Sequence, residues 1–153
     1  PVGDWSAGAH PVVRLDELVF LEYAMNTSVE FPEMRAEVLG ALRALSDSVH
    51  QHTRWGRYVP GIEYYDDLDM NIHILYDDCR VLPSPERAAP QILYSSEIPA
   101  LRSVSDALGP ILHELGDSPD TEYINNPQWA NVLRAASVAV AIMHLNDQAN
   151  KDR

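Results

Sequence analysis

The sequence predicts a mainly α fold: a compact helical bundle of four to five helices, with room for one short hairpin or strand around residues 57–76. Three observations carry this. Apolar residues recur at spacings of three and four over several long stretches, which marks one buried face of a helix. Proline and small polar residues stand at the starts of those stretches, and glycine at their ends. Helical and strand-like patterns do not alternate, so a parallel sheet is not expected. The length of 153 residues and a hydrophobic fraction of 46% suit one domain with its own core.

Residues 1–13 hold two prolines and little periodicity, and read as a flexible arm anchored at most by Trp5. The single helical domain is expected over residues 14–148. Its first helix follows from Leu15, Leu18, Val19 and Tyr23 and stops near Asn26, Thr27 and Ser28, which favour caps over helix interiors. A second helix, over 32–52, starts at Pro32 with Glu30 and Glu33 at its positive end. Met34, Val38, Leu42, Leu45 and Val49 form its apolar stripe. Gly56, Pro60 and Gly61 open a loop after it.

The stretch YYDDLDMNIHILYDDCRVL, residues 64–82, fits two periods. As a helix it buries Leu68, Ile72, Leu75, Cys79 and Leu82, and aligns Asp69, His73 and Asp77 on another face. As a strand it sets Leu68, Met70, Ile72 and Ile74 against Asp69, Asn71 and His73. The helix is favoured, and both periods keep Asp69 and His73 on one side.

Pro83, Pro85 and Pro90 then rule out a long helix. Ser96 and Pro99 begin another, with Leu101, Val104, Leu108, Ile111 and Leu115 as its stripe. Gly109–Pro110 predicts a kink or two abutting helices, and Gly116 a stop. Ser118–Pro119 and Asn126–Pro127 each read as a cap and a first helical residue. The second starts a long helix through Trp129, Val132, Leu133, Ala136, Val140 and Met143. Residues 149–153 are expected to be a disordered tail.

Twenty-three acids against eleven bases give a formal charge of −12, which repels phosphate backbones and anionic lipid. Nucleic acid and membrane are therefore not expected partners, and a basic protein is. No apolar run nears the ~20 residues of a membrane span, and the first residues lack a signal-peptide pattern. A single cysteine, Cys79, excludes an internal disulfide and fits a cytoplasmic location.

No complete catalytic set is present. Glu30, Glu33 and Glu37 with Asp66 and Asp69 partly match the magnesium carboxylates of all-α nucleotide pyrophosphohydrolases, but Pro32 interrupts the first motif and no lysine lies nearby. Asp47–His50 is one imperfect copy of a di-iron pair. His113–Glu114 lacks the second histidine of a zincin, since position 117 is Asp. Acidic neighbours make Cys79 a poor thiolate.

The one basic concentration, Arg54-Trp55-Gly56-Arg57-Tyr58, precedes the Tyr64–Asp67 run. Its arginines either pair internally with those aspartates, with the aromatics closing over the core, or the set forms a recognition surface. On the second view the partner-binding residues are Trp55, Arg57, Tyr64, Tyr65, Asp66, Asp67, Asp77 and Asp78.

The segments EFPEMRAEVLGALRAL, NIHILYDDCRVL and NPQWANVL resemble, in order, a family of small, acidic, mostly helical actinobacterial proteins of unknown function. The resemblance spans roughly residues 30–140 and agrees with ten arginines against one lysine. It implies no activity and no site residue. The expected function is a non-enzymatic cytosolic binding or regulatory protein, immunity-like in character, that engages a basic partner without a cofactor. The alternatives are a metal-dependent hydrolase using Asp69, His73, Glu33 and Glu37, and a homo-oligomeric (homodimeric) structural module.

Overall fold

Pro32 has no N–H to leave unsatisfied in a first helical turn, and it opens helix α1, Pro32–Ser46. The computed structural model describes residues 29–58, 60, 61 and 65–151. The arm with Trp5 and the helix expected from Leu15 lie outside them. Residues Val29–Asn146 form one compact unit.

The expected 32–52 helix is two helices. Asp47 takes an extended conformation, φ −113° and ψ 95°, and its side chain accepts the His50 N–H to cap α2, Ser48–Arg54. The stripe through Val38, Leu42 and Leu45 is buried, but the break turns Val49 out, to 73% exposure. Asp67 caps α3, Leu68–His73, by accepting the Met70 N–H at 2.8 Å. The helix then widens into a π-turn over Ile74–Asp78, where the Cys79 N–H reaches back five residues to the Ile74 carbonyl. Leu75 and Cys79 both end up buried. The helical reading of this stretch is the one adopted, and no strand occurs among the described residues; Trp55 and Asp66 make only an isolated bridge.

Arg80, with φ of 52°, ends the run in a left-handed conformation. Short 3-10 turns at Pro85–Ala88 and Ser95–Glu97 carry the chain to α4, Ile98–Leu115. Helix α4 continues through Pro110 instead of dividing there, and Gly116, φ 51°, ends it. Helix α5 is Asp120–Ile124, and α6 runs Trp129–Lys151. Six α-helices are thus described, three of them under eight residues, in a mainly α fold.

The core draws on α1, α3, α4 and α6, with Leu42, Leu45, Leu75, Leu101, Leu108 and Met143 fully enclosed. Across this core lies one buried ion pair. Arg35 donates to both carboxylate oxygens of Glu97, at 2.8 and 2.7 Å. It also donates to the Ile92 carbonyl at 3.1 Å and lies 4.7 Å from the centre of the Tyr94 ring. Glu97 accepts further from the Tyr94 N–H and from Asn146, at 3.0 and 2.9 Å. Bidentate geometry and extra donors are what let a pair survive full burial.

Removing one partner strands the other charge in the core. Arg35→Ala is expected to lose about 3–5 kcal/mol in urea denaturation. The double variant Arg35→Met/Glu97→Leu should be more stable than either single change, because it leaves no unpaired buried charge.

Candidate functional site

The chain leaves α2 at Trp55, turns at Gly56 (φ 70°), and comes back beside itself at Asp66. The Gly56 N–H donates to the Asp66 carbonyl at 3.0 Å. The Asp66 side chain is a local hub. Its Oδ2 accepts from Trp55 Nε1 at 2.9 Å and faces His50 Nε2 at 2.7 Å, while Oδ1 accepts from Asn71 Nδ2 at 2.9 Å. Beneath it, the Trp129 ring meets Trp55 and Tyr123 edge-on, at centroid distances of 6.1 and 6.3 Å. Trp129 Nε1 donates to buried Gln51, whose amide donates to the Ala44 carbonyl. The α1–α2 break is therefore tied to α6.

Next to this hub lies a cleft of about 260 Å³, lined by Leu68, Asp69, Ile72, Asp117, Asp120 and Tyr123 among others. Asp120 accepts the Leu68 N–H at 3.1 Å. Burial pushes its carboxyl above the ordinary value, and the charges of Asp67, Asp69 and Asp66 push it further. The Leu68 N–H opposes the shift without cancelling it. Among the described residues, none of Asp67, Asp69, Asp117 and Asp120 forms an ion pair with an arginine or lysine. Among the described residues, the cleft gathers negative charge that no arginine or lysine offsets, above the apolar side chains Leu68 and Ile72.

Along the outer face of α3, Asp69, His73 and Asp77 stand in line, as the helical period predicts. His73 Nδ1 lies 2.6 Å from Asp77 and Nε2 lies 3.6 Å from Asp69. The hydrogen bond to Asp77 chiefly raises the His73 pKa, and the charge of Asp69 adds to it. Glu33 and Glu37 do not join them. No three His, Cys, Asp or Glu side chains among the described residues converge as metal ligands. Cys79 is buried, and its thiol is raised to about 11, by burial first and then by Glu37 and Asp78.

The residues singled out for partner binding separate. Trp55, only 4% exposed, is core, and Asp66 is half-buried and bonded on both oxygens, so neither offers a free surface. Asp66 takes indole, imidazole and amide donors where arginines were expected. Arg57, Tyr65, Asp77 and Asp78 are exposed, although Asp77 is engaged by His73, and Asp67 serves as the α3 cap. Tyr64 lies outside the described residues. Asp117 from the α4–α5 turn and Asp120 from the start of α5 join the patch, far away in sequence, and no local pattern points to them. His50, read in the sequence as half of an imperfect di-iron pair, is engaged by Asp66.

A family model for a domain of unknown function, DUF7945, matches residues 29–151. No curated protein and no solved structure matches the chain. No helix among the described residues is long and apolar enough to cross a membrane.

Asp66→Ala leaves the Trp55 and Asn71 donors without an acceptor, and is expected to cost about 2–3 kcal/mol in denaturant unfolding. His73 has a folded pKa above 6.5, so its contribution to stability is full below that value and fades as pH rises through the folded one. An NMR titration should find the His73 midpoint above 6.5 and lowered by Asp77→Asn.

Proposed function

The chain belongs to the DUF7945 family, and we propose that it is a non-enzymatic cytosolic binding protein whose acidic cleft receives a basic segment of a protein partner. The observation that carries this is Asp120. A half-buried carboxyl set among three other aspartates stores repulsion that an entering lysine or arginine would relieve. The apolar floor of Leu68, Ile72 and Tyr123 suits the methylene stem of such a side chain. Tyr65 and Tyr58, at 43% and 80% exposure, supply aromatic surface on the loop before α3. This moves the expected docking surface from Trp55 and Asp66 to Asp69, Asp117 and Asp120. The cytoplasmic assignment is supported by the lone, buried Cys79, and an actinobacterial origin by the excess of arginine over lysine.

Titration of a synthetic lysine- and arginine-rich peptide into the full chain, followed by calorimetry, tests the reading. Affinity should fall steeply with added salt, and on the order of tenfold or more in Asp69→Asn/Asp117→Asn/Asp120→Asn. No binding, or binding indifferent to these changes, would refute it. The pKa of Asp120 is raised by folding, so its ionised form lowers stability above that pKa, and the penalty disappears as pH falls through it. Asp120→Asn keeps an acceptor for the Leu68 N–H and removes the charge. It should therefore raise the melting temperature at neutral pH while weakening the peptide.

A further inference from the structure

A second cleft, of about 360 Å³, opens where the chain leaves the π-turn, and shares no lining residue with the acidic one. Its lining combines the apolar residues Phe31, Met34 and Ile92 with the polar residues Arg80, Arg87 and Gln91. Three independent features distinguish it.

The first is charge. In a chain of net charge −12, Arg80 and Arg87 both line this cleft, and neither pairs with a carboxylate among the described residues. Glu86, the acid beside Arg87, is taken by Arg102 at 2.6 Å, and Asp77 by His73. Among the described residues, Arg80 makes only a long hydrogen bond, 3.4 Å, to the Asp77 carbonyl. The second is backbone conformation. Arg80 holds φ of 52°, a region that disfavours a long side chain and is commoner at functional positions than elsewhere. The third is an unmet bond. The buried Oε1 of Gln91 has no hydrogen-bond partner among the described residues. A half-turn of the amide would place an N–H there instead, so this end of the side chain can serve either kind of ligand atom.

We propose that this cleft binds a small organic anion, a carboxylate or phosphate carried on an apolar body. The anionic group lies with Arg80 and Arg87, which match planar and tetrahedral oxyanions by paired N–H donors. The apolar body covers Met34, Ile92 and the 43%-exposed Phe31. The volume is in the range of small-molecule sites.

Calorimetry on the full chain with sodium octanoate, octyl phosphate, n-octanol and inorganic phosphate decides it. Either or both amphiphilic anions should bind, with octanol and inorganic phosphate weaker by about tenfold or more. The stronger of the two anions identifies the head group. Arg87→Gln should reduce affinity by about tenfold. Arg80→Gly should reduce it similarly while the melting temperature holds or rises, because glycine accepts the left-handed backbone. A purely structural Arg80 would not separate the two readouts. The proposal falls if neither amphiphile binds. It falls equally if octanol or inorganic phosphate binds as tightly, or if the arginine variants bind like the wild type.

Discussion

A guanidinium only 5% exposed must find an acceptor for its N–H groups inside the protein, and Arg35 does so by drawing distant parts of the chain together. Glu97 at the head of α4, the Ile92 carbonyl in the connection before it, and the Met143 carbonyl on α6 all converge on it. An apolar contact tolerates sliding by an ångström or more, but a bidentate pair does not. The register of α1 against α4 and α6 therefore depends on this one side chain. The Tyr94–Glu97 capping box serves the same end, because the carboxylate that closes the turn is the one that holds Arg35.

The acidic cleft is a consequence of a second, smaller constraint. Asp66 needs to be inside to organise His50, Trp55 and Asn71, and it brings Asp67 and Asp69 to the surface beside it. Once α5 docks Asp120 onto the Leu68 N–H, the negative charges sit close enough to disturb one another. Structure and proposed binding thus meet at one place in the fold. Asp66 is the structural member of the series, and Asp69, Asp117 and Asp120 are the ones to which the proposal assigns binding.

Much of the helical content was legible because it rests on local periodicity: the stripes at Val38–Leu45 and Leu101–Ile111 are buried as spaced, and in the last helix Trp129, Val132, Ala136 and Met143 are buried while Leu133 and Val140 are half-buried. The break at Asp47 was not, since the apolar spacing runs straight through to Val49 and only the capping geometry of Asp47 reveals the stop. Some signals were present but unread. Arg35 and Asn71 lie on the apolar stripes of their own helices, where a polar side chain announces an internal partner. The alignment of Asp69, His73 and Asp77 followed from helix period alone. Its neighbours Asp117 and Asp120 could not follow, because the approach of the α4–α5 turn to α3 is a tertiary event with no local trace.

The π-turn at Ile74–Asp78 has an evolutionary side. A π-turn accommodates one residue more than the α-helix it interrupts, so everything after it is rotated by about 100° relative to an unbroken helix. That extra residue stands just before Arg80, whose left-handed backbone ends the run, and so bears on how Arg80 is presented. A relative lacking one residue here would carry a straight α-helix and a different rim to the second cleft. A single-residue gap at this place in the family would therefore divide members that share the arginine cleft from members that do not, even where the rest of their sequences align without interruption.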